Sequence, residues 1–264
     1  MSEPPPADSL AGRRILLCYG LFGEVMAGLR PFGLDYMGAQ AAWLRARGAA
    51  VTVVPCPTAA PVARNAERIG DVLLSDSRPA ILVGHSKGGL EALAALVDSS
   101  AAARAEGLVA LQSPFFGSPV ADLLLGPRPL HGFADGAMRL LRLGDGQGLR
   151  DLTTAARAEW MRLREAEVAA LLARLPAVCV ATAVDVRAPG RGRAYLTLAR
   201  WLEARGAGPN DGLVPVASAL LPGARHIVLR GGHRAAASTG RGREPVAVLQ
   251  RALSALRDPG RVAA

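Results

Sequence analysis

Short apolar runs alternate along this chain with longer segments in which apolar residues recur at helical spacing. The short runs predict strands at Arg14–Cys18, Ala50–Val54, Ala80–Val83, Leu108–Gln112, Ala177–Ala183 and His226–Leu229. The longer segments predict helices at Met37–Arg47, Pro61–Leu74, Gly88–Val97, Thr153–Arg174 and Pro245–Leu256. This alternation predicts an α/β fold with a doubly wound, mostly parallel sheet.

The alternation is interrupted once, between residues 114 and 150. Gly126-Pro127 and the glycine-rich stretch Gly144–Gly148 lie in this interval, which is typical of loop structure. We therefore expect a short, lid-like insertion at about 114–150 within a single domain spanning residues 13–264. Residues 1–12, which are rich in proline, are expected to form a disordered tail.

Composition favours one large globular domain and excludes several classes of protein. Half of the 264 residues are hydrophobic, yet no stretch approaches the roughly 18 consecutive apolar residues of a transmembrane helix. The formal net charge of +9 comes from scattered arginines, without a basic run that would indicate nucleic-acid binding. Such a positive field favours anionic substrates or transient contact with a membrane surface.

The N-terminal residues and the cysteines indicate a cytoplasmic protein. Residues 1–8 lack the basic start and apolar centre of a secretory signal. Cys18, Cys56 and Cys179 are widely spaced, and no cysteine or histidine cluster has the spacing of a zinc site. We therefore expect reduced thiols, no bound metal and no other cofactor.

The most informative segment is Gly84-His85-Ser86-Lys87-Gly88, which joins a predicted strand to a predicted helix. A serine in G-x-S-x-G at such a turn is typical of the nucleophile elbow of α/β-hydrolases. The glycines permit a sharp turn that lifts the Ser86 hydroxyl out of the sheet. The alternative is a glycine-rich turn in which the serine only caps the helix.

A serine nucleophile needs a base and an acid, which follow it in the order acid, then histidine, in this fold. Of the four histidines, His85 adjoins the nucleophile and is expected to point to the other side of the elbow. His131 precedes the acid candidates, and His226 lies inside a strand, where a structural role is expected. His233 follows that strand after two glycines and is the predicted base.

The predicted acid is Asp211, in Asn210-Asp211-Gly212-Leu213-Val214, with Asp185 at the end of a strand as the rival. The backbone N–H groups of Lys87 and of Leu21, in the loop after the first strand, are the predicted oxyanion donors. The Lys87 side chain either adds positive charge near the acyl carbonyl or is solvated, and solvation is the favoured interpretation.

These motifs together resemble the bacterial triacylglycerol lipases of the Pseudomonas and Burkholderia type. The similar segments are Leu16–Gly23, Leu34–Tyr36, Leu44–Ala49, Gly84–Gly89, Ser113–Asp122 and Asn210–Val214. The 22-residue interval from Asp211 to His233 is also similar to that family's spacing from acid to base. The resemblance implies the α/β-hydrolase fold and a Ser86, His233 and Asp211 triad.

The chain departs from that family at several positions. Tyr19 stands where the family has its oxyanion-loop histidine, and Phe115 replaces another histidine. Ala235 and the region of Arg191 replace the aspartates of the family's calcium site, and Ala217 replaces a cysteine of its disulfide. The resemblance therefore implies an intracellular relative with neither calcium nor that disulfide.

The sequence as a whole predicts a serine hydrolase, esterase- or lipase-like, that cleaves small-molecule or lipid carboxylic esters through an acyl-enzyme. A thioesterase or an acyltransferase would use the same residues. A non-catalytic hydrolase-fold protein that binds an acyl ligand or a partner is the alternative from another class. The oligomeric state stays open.

Overall fold

A computed structural model describes residues 10–20, 36–98, 100–126, 146–187, 195–240 and 242–257. The strands are β1 Arg14–Cys18, β2 Ala50–Val54, β3 Ala80–His85, β4 Ala105–Leu111, β5 Ala177–Ala183 and β6 Arg225–Arg230. The helices are α1 Gly38–Ala46, α2 Val62–Leu74, α3 Lys87–Asp98, α4 Pro119–Leu125, α5 Gln147–Arg150, α6 Thr154–Leu163, α7 Glu165–Arg174, α8 Leu196–Glu203, α9 Val216–Ala219 and α10 Pro245–Arg257. A 3₁₀ helix spans Ser100–Arg104.

The six strands form one parallel sheet in the order β2-β1-β3-β4-β5-β6. The predicted α/β fold with a parallel sheet is therefore confirmed. β3 lies near the middle of the sheet, between β1 and β4, so the turn that follows it opens at the carboxyl edge of neighbouring strands. Loops that follow parallel strands meet at this edge, where sites of open α/β sheets are found.

Helices cover both faces of the sheet, and alternate strand residues supply the two cores. Leu16, Leu82 and Cys179 face the layer that holds α2, α3 and α7. Leu17, Val83 and Val180 face the layer that holds α1 and α10. Successive side chains of a strand point to opposite faces of the sheet. A strand that is buried on both faces is therefore apolar at every position, which explains the continuous apolar runs in the sequence.

The single helix predicted at Thr153–Arg174 is wrong, because the structure has two helices there. They are separated at Arg164, whose φ of −115° and ψ of 15° lie outside helical values. Its guanidinium reaches Asp98 at 2.9 Å, which ties the break to the end of α3. With no glycine or proline between α6 and α7, the sequence carries no local signal for this break.

Parts of the predicted domain organisation lie outside the described residues. The middle of the expected insertion, residues 127–145, is among these, while α4 and α5 lie at its two described ends. Residues 1–9 of the expected tail also lie outside, but Leu10 is buried and its N–H donates to the Arg47 carbonyl at 3.2 Å. Packed structure thus begins no later than Leu10. No helix in the described ranges is long and apolar enough to cross a membrane.

Candidate active site

The turn between β3 and α3 holds Ser86 in a strained conformation. Its φ is 55°, in the left-handed region that non-glycine residues rarely adopt, and its N–H donates to the Leu111 carbonyl at 2.8 Å. A Cβ on Gly84 would lie 2.6 Å from the Gly89 Cα, so only glycine lets the helix pack this close to the strand. The local geometry is the strand-to-helix elbow predicted from the sequence.

The loops after β5 and β6 bring two distant side chains to this turn. The Ser86 Oγ lies 2.9 Å from the His233 Nε2, and the His233 Nδ1 lies 2.8 Å from the Asp211 Oδ2. All three residues are buried, with exposed fractions of 8 %, 7 % and 1 %. The three residues predicted from the motifs therefore form one hydrogen-bonded chain, with the contacts expected of a nucleophile, a base and an acid.

Backbone groups hold the Asp211 carboxylate in place. Its Oδ1 accepts the N–H groups of Leu213 and Val214 at 2.9 and 2.8 Å, while its Oδ2 faces His233. The Asp211 carbonyl also accepts the His233 N–H at 3.0 Å, so the acid and base loops are joined through the main chain. The N-D-G-L-V segment thus forms a tight turn whose donors leave one carboxylate oxygen free to orient the histidine.

The rival acid, Asp185, occupies a different environment. Its Oδ1 accepts the N–H of Arg187 at 3.1 Å in a local turn, and its Oδ2 lies 3.8 Å from the Arg230 guanidinium. Its side chain is 35 % exposed, whereas that of Asp211 is buried behind His233. The geometry therefore assigns the carboxylate next to His233 to Asp211.

His85 lies closer to the candidate base than the sequence suggested. Its ring centroid is 5.0 Å from that of His233, and its Nε2 is 3.0 Å from the His233 carbonyl. The expectation that it points to the other side of the elbow is therefore wrong. Burial lowers the pKa of His85 to about 3, so the ring is neutral and serves as a hydrogen-bonding group.

Tyr36 extends this contact to the loop after β1. Its hydroxyl lies 2.5 Å from the His85 Nδ1 and accepts the Gly20 N–H at 3.0 Å. A Cβ on Gly20 would lie 2.8 Å from the Ser86 Cβ, so this loop passes directly against the nucleophile. Burial raises the pKa of Tyr36, which keeps the hydroxyl protonated.

Gln112 is a polar residue of the site that the motifs did not identify. It follows β4, is fully buried, and has a φ of 53°. Its Nε2 lies 3.2 Å from the Asp211 Oδ2, and its Oε1 lies 3.2 Å from the His85 Nε2. The signal in the sequence was a polar residue directly after an apolar strand, at the edge of the sheet where Ser86 also lies.

The Lys87 side chain corrects a second expectation, because it is buried and not solvated. Its ammonium pairs with the Glu91 carboxylate one helical turn later and donates to the Ala60 carbonyl at 2.7 Å. Both side chains are 1 % exposed. Asn65 donates to the same Glu91 oxygen at 2.7 Å. The lysine charge is thus paired inside the protein with Glu91.

Some predicted residues have no described position, and others have structural contacts only. Leu21, the second predicted oxyanion donor, and His131 lie outside the described residues. His226 lies on β6 and donates from its Nε2 to the Leu221 carbonyl at 2.7 Å. Within the described ranges, no group of three or more histidine, cysteine, aspartate or glutamate side chains is arranged to hold a metal ion.

The fold is shared with solved structures of bacterial and metagenomic origin. The Bacillus licheniformis lipase BlEst2, in its mature form, has 22 % identity and a TM-score of 0.68, covering 88 % of this chain and 89 % of its own. The metagenomic carboxyl esterase MGS0156 has 24 % identity and a TM-score of 0.70, covering 96 % of this chain and 80 % of its own.

A further similar structure is MGS-MChE2, an α/β-hydrolase from a lagoon-sediment metagenome, with 15 % identity and a TM-score of 0.51 over 95 % of this chain and 94 % of its own. No known family model and no curated protein sequence matches the chain. The parallel sheet and these structural likenesses together show that the chain has the α/β-hydrolase fold.

Proposed function

We propose that this protein is a serine hydrolase that cleaves carboxylic esters through an acyl-enzyme, with Ser86 as nucleophile, His233 as base and Asp211 as acid. The observation that carries the proposal is the unbroken contact from the Ser86 Oγ to the His233 Nε2 and from the His233 Nδ1 to the Asp211 Oδ2. A serine that only capped a helix would not need a buried histidine and a buried carboxylate aligned behind it.

In the acylation step, the Ser86 Oγ attacks the ester carbonyl carbon while the His233 Nε2 accepts the hydroxyl proton. The Asp211 carboxylate accepts the Nδ1–H, which fixes the tautomer that leaves Nε2 unprotonated, and it stabilises the imidazolium that forms. His233 then passes the proton to the departing alkoxide, the C–O bond breaks, and the alcohol leaves an acyl group on Ser86.

Backbone N–H groups are the proposed stabilisers of the tetrahedral oxyanion. Lys87 is the first residue of α3, and N–H groups in the first turn of a helix have no partner within that helix. The N–H of Leu21 is the proposed second donor. In deacylation, His233 removes a proton from water, the resulting hydroxide attacks the acyl carbon, and Ser86 leaves with the proton returned by His233.

The substrate class follows from the nucleophile and from similar proteins. A serine in contact with a histidine, which in turn contacts an aspartate, supports acyl transfer. Two of the similar structures described above are a lipase and a carboxyl esterase. We therefore propose carboxylic esters as substrates, with water as the acyl acceptor. A thioesterase or an acyltransferase would form the same acyl-enzyme and would differ in the substrate or the acceptor.

The test is covalent labelling with a fluorophosphonate, followed by mass-spectrometric mapping of the adduct. We expect the adduct on Ser86, its loss in Ser86→Ala, and labelling slowed by about 10³-fold or more in His233→Ala. Asp211→Asn is expected to lower ester turnover by about 10⁴-fold, because an asparagine favours the wrong histidine tautomer. Asp185→Asn is the matched control and is expected to retain wild-type turnover.

A panel of p-nitrophenyl esters and acyl thioesters of increasing chain length separates the related activities. Turnover of esters in water supports the proposal, whereas turnover restricted to thioesters, or requiring an added alcohol or amine, replaces it with a thioesterase or acyltransferase. An unlabelled wild-type protein that binds acyl ligands would overturn it in favour of a binding protein.

A further inference from the structure

We propose that Gln112 is a positioning residue that holds the Asp211 carboxylate and the His233 loop in the orientation that faces Ser86. This inference deepens the proposed function, on which it rests. The side-chain hydrogen bonds that the structure describes for Gln112 go neither to Ser86 nor to the His233 ring. It acts through the acid and through the backbone on both sides of the base. Each of these partners is 99 or more residues away from Gln112 in the sequence.

The orientation of the Gln112 amide is fixed by backbone groups. Its Oε1 lies 3.3 Å from the Ala236 N–H, which can only donate, and its Nε2 lies 3.1 Å from the Gly232 carbonyl, which can only accept. The amide therefore presents its nitrogen, a donor, to the Asp211 Oδ2 at 3.2 Å. These contacts join the residues before and after His233 to the same side chain that supports its acid partner.

A second set of contacts joins Gln112 to the loop beside the nucleophile. The His85 Nε2 faces the His233 carbonyl and the Gln112 Oε1, both acceptors, so this nitrogen carries the proton. The Nδ1 is then the acceptor for the Tyr36 hydroxyl, which itself accepts the Gly20 N–H. Gln112 thus ends a one-directional series of hydrogen bonds that starts at the loop after β1.

The backbone of Gln112 is itself held in an unfavourable conformation. Its φ of 53° is in the left-handed region, and its N–H donates to the Val180 carbonyl at 2.7 Å. Its Nε2 also lies 2.5 Å from the Thr182 hydroxyl on β5. A strained backbone conformation persists only where the surrounding structure holds it in place, and residues with such conformations cluster at functional sites. Here the strained residue is the one whose amide contacts the acid.

The test compares Gln112→Met, which keeps the length of the side chain but removes its hydrogen bonds, with the wild type. We expect ester turnover, kcat, to fall about 10–100-fold, the usual effect of losing a partner that orients an active-site group, with KM within about 2-fold. The far-downfield proton resonance of the His233 Nδ1–H is expected to broaden or shift. Gln112→Glu, which places a carboxylate beside Asp211, is expected to lose at least as much turnover.

Gln40 provides the matched control. It is also a fully buried glutamine, and its Nε2 donates to the Ala236 carbonyl at 2.8 Å, in the same loop, but no hydrogen bond to Asp211 is described for it. Gln40→Met is therefore expected to keep kcat within about 3-fold and to leave the downfield resonance in place. If Gln112→Met does not fold, Thr182→Val takes its place, because it removes a hydroxyl that contacts the Gln112 amide. This variant is expected to lose kcat as well, but by a smaller factor.

The outcomes distinguish this proposal from the proposed function. Wild-type kcat and an unchanged resonance in a folded Gln112→Met or Thr182→Val protein would overturn the positioning role, even if ester hydrolysis is established. A wild-type protein without esterase activity, whose resonance is nevertheless altered by Gln112→Met, would keep the positioning role and remove the proposed reaction. Equal losses in Gln112→Met and Gln40→Met would reduce Gln112 to a packing residue.

Discussion

The two residues that flank Ser86 lead into two buried polar clusters of different character. His85 enters a neutral cluster with Tyr36 and Gln112, in which each side chain has hydrogen-bond partners. Lys87 enters an ionic cluster with Glu91, where the Glu91 Oε2 is buried without a hydrogen-bond partner. The neutral cluster faces the candidate acid and base, whereas the ionic cluster lies on α3, where Glu91 contacts Asn65 of α2.

The two clusters therefore do different things: the neutral cluster orients side chains, and the ionic cluster compensates buried charge. Neutral groups that donate and accept in fixed directions can hold a carboxylate and an imidazole without adding charge next to them. A buried ion pair is strong only while both partners are present, because each charge alone pays a large desolvation cost. We therefore expect the neutral cluster to govern reactivity and the ionic cluster to govern stability.

The largest expected effect is on stability, from removal of one partner in the ionic cluster. Burial raises the pKa of Glu91 to about 7, and Lys87 opposes that rise. Lys87→Met removes that opposition and raises the pKa further, so at pH 8 Glu91 either is ionised without a counter-charge or takes up a proton. Both cost free energy, and the free energy of unfolding is expected to fall by about 3–5 kcal/mol. Urea unfolding followed by tryptophan fluorescence measures this loss.

The double variant Lys87→Met with Glu91→Leu is the control for that prediction. It removes both charges, so it is expected to regain most of the lost unfolding free energy. A single variant that loses less than about 1 kcal/mol, or a double variant as unstable as the single one, would show that charge pairing is not what stabilises this cluster.

A smaller effect is expected from Tyr36→Phe in the neutral cluster. The change leaves the Gly20 N–H and the His85 Nδ1 without their hydroxyl partner, which costs about 1–3 kcal/mol of unfolding free energy. Because Gly20 lies against Ser86, the rate of fluorophosphonate labelling is also expected to fall. Tyr195→Phe removes the hydroxyl of a tyrosine that is half-buried, whereas Tyr36 is buried, and equal labelling rates in the two variants would contradict a role for the Tyr36 hydroxyl.

The last prediction, which has no effect at neutral pH, is a slope in the pH dependence of stability that belongs to His85. Its pKa is about 3 in the folded protein and about 6.5 when unfolded, so between these values the unfolded chain binds a proton that the folded protein excludes. The free energy of unfolding should therefore fall as pH decreases through this window, by about 1.4 kcal/mol per pH unit.

Urea unfolding at a series of pH values, for the wild type and His85→Gln, measures this slope. Titration of the carboxylates is common to both proteins, so the difference between the two curves isolates His85. Parallel curves between pH 4 and 6 would mean that the folded protein accommodates a protonated His85, contrary to its neutral, fully buried environment.

Strand positions were predictable from the sequence because a strand buried on both faces is apolar along its whole length. β1 and β5, which are almost wholly buried, begin and end at the predicted residues. So does β2, an edge strand in which Thr52 and Val53 are exposed. The ends of the predicted helices shifted by at most one residue. The α6–α7 break at Arg164 was missed because a contact with Asp98, distant in sequence, accompanies it. α8 and α9 were also missed, since each is short and follows loop-like sequence.

The elbow around Ser86 could be predicted from the motif and its flanking strand and helix, and Asp211 and His233 from their motifs and chain order. The positions of the His85 and Lys87 side chains, and the contact of Gln112 with Asp211, became visible only in the folded protein. The physical reason is that a polar side chain at the end of a strand finds its partner on another loop. Which loop lies opposite depends on the order of strands in the sheet, and no local pattern of residues encodes that order.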